Sequence, residues 1–179
     1  MKVAFIDRDG TITKDYLDEE WRYVYEPVLM PYAVQLLKLI QTMGFAIVII
    51  TNQYLIGERI ISKRQYHNYN NRLINLLKKN GIVVLDVFFC PHKRSQKCEC
   101  MKPNAGMIIQ AVNKYPNIDL SNSIIIGDSI CDVQLAKRVN IKAFGINVKY
   151  NYEKLISVRD LKELYNLLAK GTGEKTNIT

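Results

Sequence analysis

Long apolar runs are missing from this chain of 179 residues: the longest, Phe45 to Ile50, is far below the roughly 20 residues that a membrane-spanning helix needs. The start, Met-Lys-Val-Ala-Phe-Ile-Asp, leads directly into acidic residues without the apolar core or small-residue cleavage site of a secretory signal. A cytoplasmic location is therefore expected. No internal repeat or low-complexity linker divides the chain, so a single domain over residues 1–170 is expected, with a disordered tail at 171–179. Nor is there a long block of Lys or Arg. The net charge of +8, from 25 basic and 17 acidic residues, is spread along the whole length. That pattern reads as a solvated basic surface which favours a small anionic substrate, and nucleic acid is not the expected partner.

Cysteine is scarce but not scattered. Of four, Cys90, Cys98 and Cys100 fall within eleven residues beside His92, one of only two histidines. In a cytosolic chain such a cluster points to a metal rather than to disulfides. Cys131 is left over, as a packed thiol.

With 48% hydrophobic and 23% charged residues, the chain has the composition of a globular domain. Short apolar runs at Val3–Ile6, Ala46–Ile50, Val83–Phe89, Ser123–Ile126 and Ala143–Val148 predict buried strands. Helical patterns lie between them. One is opened by Pro31 and carries Val34, Leu37 and Ile40, and one is capped by Ser62 and carries Tyr66, Tyr69, Leu73, Leu76 and Leu77. Others run from Pro103 to about Lys114, from Asp128 to Val139, and from Ser157 and Asp160 to Leu168. Strands alternating with helices predict an α/β fold, a doubly wound parallel sheet that binds ligands at the carboxyl ends of its strands. Residues Thr11 to Pro27 form a polar, aromatic loop too short to be a cap domain.

The polar residues of interest stand at those ends. The first strand runs into Asp7-Arg8-Asp9-Gly10-Thr11. If the strand ends at Asp7, a turn permitted by Gly10 can bring Asp9 back toward the same site. One Asp can then act as nucleophile through an acyl phosphate, and the other as general acid and base. Thr51 and Asn52 follow the second strand, where a hydroxyl and backbone amides can hold phosphate oxygens. Lys102 precedes an expected helix start, a favourable setting for an anion. Gly127-Asp128, with Asp132 four residues on, supplies hard oxygen ligands for magnesium. A phosphate dianion beside ionised Asp7 and Asp128 would suffer about 4 kcal/mol of repulsion per like pair at about 4 Å. One Mg²⁺ and Lys102 relieve most of it.

In these four motifs, taken in order, the chain resembles the haloacid dehalogenase superfamily of phosphatases over roughly residues 1 to 150. The resemblance implies a Rossmann-like sheet, Asp7 as nucleophile and Asp9 as general acid/base. It also implies Mg²⁺ held by the Asp7 carboxylate, the Asp9 carbonyl and Asp128, with Thr51 and Lys102 on the phosphate. Without an inserted cap, the chain is similar to the capless members. Cys90-Pro91-His92 and Cys98-Glu99-Cys100 can place three thiolates and one imidazole around a structural Zn²⁺. That loop, with Thr51-Asn52-Gln53 and Lys102-Pro103, resembles the heptose-bisphosphate and histidinol-phosphate phosphatases. Five residues between His92 and Cys98 bring the loop closer to the histidinol-phosphate type. One departure stands out: Met101 occupies the place where these families usually carry an arginine, leaving Arg59 or Arg94 as candidate replacements.

The expected activity is hydrolysis of a heptose bisphosphate or related sugar phosphate, with Mg²⁺ catalytic and Zn²⁺ structural, by a monomer acting on a small phosphorylated metabolite. Histidinol phosphate is the alternative substrate. A DNA 3'-phosphatase and a zinc-stabilised interaction module without catalysis are the further readings.

Overall fold

The computed structural model describes residues 1–172; the rest of the expected tail lies outside the described residues. Six strands form one parallel sheet: β1 (Val3–Ile6), β2 (Ala46–Asn52), β3 (Val84–Cys90), β4 (Ile124–Gly127), β5 (Lys142–Ile146) and β6 (Leu155–Val158), in the order β3-β2-β1-β4-β5-β6. Strand β1 sits in the middle and all four of its residues are buried. Its alternation divides them between two cores. Ala4 and Ile6 join one with Ile47, Ile49, Ile124 and Ile126, while Val3 and Phe5 join the other with Val48, Ile50 and Ile125. Side chains of a strand alternate faces, so a sheet buried on both sides reads as an unbroken apolar run.

Helices cover each face. On the first lie α1 (Ala33–Thr42), α3 (Lys63–Lys79) and α6 (Leu161–Thr172), through Leu36, Leu37, Ile40, Leu73, Leu77 and Leu164. On the second lie α4 (Gly106–Lys114) and α5 (Ile130–Arg138), through Met107, Ile108, Ala111, Leu135 and Ala136. A single turn, α2 (Tyr54–Gly57), follows β2 and joins a small third cluster around Trp21, Tyr66 and Tyr69. Among the described residues no helix is long and apolar enough to cross a membrane.

The α/β doubly wound sheet is as expected, and several boundaries differ. Helix α1 begins at Ala33, after Tyr32 at φ 66°, so Pro31 lies outside it. Ser157 does not open the last helix. It belongs to the unexpected edge strand β6 and donates to the carbonyl of Val148, whereas Asp160 accepts the Glu163 N–H at the start of α6. That helix also passes the expected end at Leu168 and runs to Thr172. Pro103 stands three residues before α4, which opens at Gly106, so Lys102 is not at a helix N-terminus. A side chain on Gly106 would bring its Cβ within 2.3 Å of the Glu99 carbonyl oxygen, and the close approach of that loop needs the glycine.

The chain builds β1, β2 and β3 outward on one side, then crosses β1 to lay β4, β5 and β6 on the other. The reversal leaves a crevice at the carboxyl ends of β1 and β4, the place where open α/β sheets bind ligands.

Candidate active site

Pairing continues one residue past β1, because the Asp7 N–H donates to the Ile126 carbonyl at 2.9 Å. The chain then turns: the N–H groups of Ile12 and Thr13 both return to the Arg8 carbonyl, at 3.0 and 2.9 Å. Gly10, at φ 83°, makes this turn possible, and any Cβ there would lie 2.1 Å from an Asp128 oxygen. Glycine is thus needed both for its backbone and to let the carboxylate of Asp128, just past β4, approach.

Asp7, Asp128 and Asp132 come together, with oxygens all within 4.8 Å of one another. Lys102 Nζ reaches into the group, 2.5 Å from Asp7 Oδ1, 2.7 Å from Asp132 Oδ1 and 3.1 Å from the Ile50 carbonyl. Thr11 donates its hydroxyl to Asp128 Oδ1 at 2.8 Å. Asp132 caps α5 through Ser129, whose N–H and hydroxyl both donate to Oδ2. Asp7, Lys102 and Asp132 are each buried. Burial pushes the Asp7 carboxyl well above the ordinary range; Lys102 opposes this, and Asp132 and Asp128 add to it. Asp128 is likewise raised by burial, with Asp132 adding to the effect and the Thr11 hydroxyl opposing it. For Lys102 burial favours the neutral amine, yet Asp132 and Asp7 together overcome it and raise its pKa. Three carboxylates, two of them buried and Asp128 part-buried, against one ammonium leave an excess of negative charge in an oxygen-only donor set. That chemistry fits a small hard divalent cation.

Asp9 lies apart. Its carboxylate receives Arg8 Nε on Oδ1 at 2.9 Å and Arg8 Nη2 on Oδ2 at 2.8 Å. Gln53 Nε2 donates to Oδ2 at 2.7 Å and to the Thr51 hydroxyl oxygen at 2.8 Å. Thr51 itself stands 3.5 Å from the same Asp9 oxygen. Asn52, expected on the phosphate, spends both ends of its side-chain amide on the backbone of Lys102: Oδ1 accepts its N–H at 2.8 Å and Nδ2 donates to its carbonyl at 3.1 Å. The residue fixes the lysine from the neighbouring strand. A cavity of about 250 Å³ opens over Asp7, Asp9, Thr51, Lys102 and Asp128. Cys131 is not a packed core thiol, since it is only part-buried and lines this cavity.

The cysteine loop is also assembled. Sγ of Cys90 lies 3.0 Å from that of Cys100 and 3.6 Å from that of Cys98, and His92 Nδ1 lies 3.1 Å from Cys100 Sγ. All four donors fall within 4.8 Å of one another, and no disulfide joins them. Thiolates about 2.3 Å from a tetrahedral zinc stand about 3.8 Å apart, so the set is compact enough to enclose one ion. The C-terminal half of the loop is tied to the segment before α4, by Asn104 Nδ2 to the Cys98 carbonyl and by the Gly106 N–H to that of Glu99. Arg94, a candidate for a remote anion, is already engaged. It pairs with Asp18 at 2.7 Å and stacks 3.6 Å above the Tyr54 ring. Arg59 is exposed, with φ 61°.

Residues 2–153 match the family model of polynucleotide kinase 3 phosphatases. The chain belongs to that family. A D-glycero-alpha-D-manno-heptose-1,7-bisphosphate 7-phosphatase of Photorhabdus laumondii is 39% identical to this family member over 152 residues, covering 79% of each chain. A bifunctional histidine-biosynthesis protein of Blochmanniella floridana is 30% identical over 156 residues, 86% of this chain but 43% of that longer protein. In fold, the chain matches the structure of a D,D-heptose 1,7-bisphosphate phosphatase from B. bronchiseptica complexed with magnesium and phosphate. The TM-score is 0.83 at 22% identity, over 96% of this chain and 99% of the other. The expected resemblance to haloacid dehalogenase phosphatases is borne out, and this polynucleotide kinase 3 phosphatase family member is a phosphoric monoester hydrolase.

Of the residues expected at the site, the structure gathers Asp7, Asp128, Thr51 and Lys102 around one cavity and the four zinc-type donors into one cluster. Asp9 faces the cavity from its pair with Arg8. Sequence reasoning assigned nothing to Arg8, Thr11 or Gln53. Their signal was faint: a charged or polar residue at a strand end is ordinarily solvated.

Proposed function

We propose that the chain is a Mg²⁺-dependent phosphatase that removes the 7-phosphate of a heptose 1,7-bisphosphate through an aspartyl phosphate at Asp7. The observation that carries the substrate is the 39% identity to a phosphatase of that name across 79% of each chain. The chemistry rests on Asp7 and the part-buried Asp128, just past the carboxyl ends of β1 and β4, with the buried Lys102 brought to them by the loop before α4. Magnesium held by Asp7, Asp128 and the Asp9 carbonyl, next to Asp132, would supply the positive charge that lets a phosphate dianion come close to a carboxylate.

Lys102 and the Thr51 hydroxyl bind the phosphate oxygens, and Asn52 fixes the lysine by its backbone. An Asp7 oxygen attacks phosphorus while the bond to the sugar oxygen breaks, and that oxygen takes a proton from Asp9. Water then attacks the phosphorus of the acyl phosphate and gives a proton to Asp9, and Asp7 leaves as carboxylate with release of inorganic phosphate. Cys90, His92, Cys98 and Cys100 hold zinc, which shapes the loop before Lys102 and takes no part in these steps. Reduced thiols suit the cytoplasm, and every group named comes from one chain, consistent with a monomer working as a single domain over residues 1–170.

A panel of phosphorylated compounds with Mg²⁺ tests this reading: the heptose bisphosphate, histidinol phosphate, a 3'-phosphorylated oligonucleotide and 4-nitrophenyl phosphate. The heptose bisphosphate should show the highest kcat/KM. Preference for histidinol phosphate or for the oligonucleotide would replace the substrate, and no Mg²⁺-dependent turnover of any of the four would leave a non-catalytic module.

Met101 offers a second test. It is half-buried and lines a hollow of about 300 Å³ that extends from Lys102 past Lys97 and Arg94. Met101→Arg places a forked donor beside the remote part of the substrate. Kinetics should show kcat/KM for the bisphosphate rising about tenfold, in line with one charge-assisted contact, and that for a monophosphate staying within about twofold. Equal changes on both would remove Met101 from the substrate's path.

A further inference from the structure

Arg8 is as deeply buried as any charged residue beside the site, with 1% of its surface exposed, and it is absent from the lining of the catalytic cavity. Its guanidinium sits in a cage of three rings, 4.8 Å from the Tyr69 centroid, 5.4 Å from Tyr66 and 5.8 Å from Trp21. Two of these come from α3 and the third from the loop before α1, so remote segments converge on one cation. Among the described residues its one charged partner is Asp9, gripped on both oxygens, and Nη1 has no hydrogen-bond partner.

Fold stability does not explain this arrangement well. Buried ion pairs are often replaceable by apolar side chains without loss, because desolvation offsets the attraction. A planar fork does something else: it fixes the plane and rotation of the carboxylate it holds, which a point charge does not. We propose that Arg8 is a positioning residue whose ring-caged fork sets the orientation of Asp9 for proton transfer. The inference rests on the reading of Asp9 as general acid/base.

Proton exchange does not require the pair to break. Thr13 and Thr51 donate to Asp9 at 3.2 and 3.5 Å, and each hydroxyl can turn to accept from a protonated carboxyl instead. The Thr13 hydroxyl has the Arg8 carbonyl at 3.1 Å as its other acceptor. With the fork in place Asp9 keeps one orientation while its proton passes to the leaving oxygen and while it later takes one from water. Gln53, the residue after β2, donates to Oδ2 alongside Thr51 and braces that oxygen.

Leaving-group dependence tests the idea. Nitrophenolate departs without a proton, whereas a sugar alkoxide needs one, and kcat/KM reports only steps up to the departure of the leaving group. It is measured with 4-nitrophenyl phosphate and with the best sugar phosphate of the panel, for the unmodified chain, Asp9→Asn, Arg8→Met and Arg8→Lys. Asp9→Asn and Arg8→Met should each lose on the order of 100-fold on the sugar phosphate, and about tenfold less on the aryl ester. The ratio of the two constants does not depend on how much of a preparation is folded. If Asp9→Asn is selective and Arg8→Met lowers both substrates equally, or neither, Arg8 is a core ion pair only and the inference is overturned. If Asp9→Asn itself shows no selectivity, the acid/base reading has failed, whatever Arg8 does. Should Arg8→Met not fold, Arg8→Lys keeps the charge and loses the fork; a selective loss in it supports the inference, and an equal loss on both substrates overturns it.

Discussion

Asp7→Asn is expected to lower kcat by more than about 1000-fold while the protein keeps its fold. Removal of a covalent nucleophile eliminates the first step rather than slowing it, and each factor of ten corresponds to about 1.4 kcal/mol of transition-state stabilisation. The fold survives because the change is nearly isosteric and Lys102 keeps its other partner, Asp132 at 2.7 Å. The buried lysine therefore does not become an unpaired charge, which is the event that makes breaking a buried pair costly. Without metal, Asp7 is one of three carboxylates around a single ammonium, and its pKa is raised by burial and by Asp132 and Asp128. The metal-free variant should accordingly melt at the same temperature as the unmodified protein or higher, and gain less from added Mg²⁺. Thermal melts with and without Mg²⁺, alongside kcat, check both halves. Retention of more than about a tenth of the activity would mean that another group carries the attack.

What the sequence disclosed about this site follows from its chemistry being local. Asp7, Thr51 and Asp128 each follow an apolar run directly, so finding the strand ends was enough to find them, and the parallel topology brought the ends together. Strand β6 escaped notice because it lies at the sheet edge. Leu155 and Ile156 are half-covered, Ser157 is exposed and Val158 is buried, so neither a continuous apolar run nor a clean alternation marks it. The start of α4 was misplaced because Pro103 is an ordinary first-turn residue, while the chain uses it in the turn that carries Lys102 to Asp7. Arg8 and Asn52 were illegible for a different reason. Their partners lie in other elements: the rings of Trp21, Tyr66 and Tyr69 for one, the backbone of Lys102 for the other. Nothing near either residue in the sequence announces a buried cation or an amide spent on a distant peptide group.

Removal of the proposed zinc ligand Cys100 should act on stability first and on catalysis through Lys102. Cys100 stands two residues before that lysine, and the loop from Cys90 to Cys100 has no helix or strand of its own after β3. Its order depends on the four donors and on a few hydrogen bonds, those of Asn104 and Gly106 among them. Structural zinc sites contribute folding free energy directly, on the order of 10 kcal/mol in small peptides, where the metal organises everything. Here the sheet folds around its own core, so only part of that is at stake. Cys100→Ser is expected to cost several kcal/mol and to lower Tm by about 10 °C, at roughly 2–4 °C per kcal/mol for a chain of this size. KM should rise as the Lys102 backbone loses its support from one side, while Asn52 still holds it from the other. The two metals should separate under chelation. A cation at Asp7 and Asp128 has few protein ligands and keeps water, so it exchanges readily; a closed four-ligand zinc site has no open position for a chelator. Mild chelation and dialysis should then abolish activity that Mg²⁺ alone restores, while elemental analysis still finds about one zinc per chain. A purified, active protein without zinc, together with an unchanged Tm in Cys100→Ser, would show that the thiols hold the loop by packing alone.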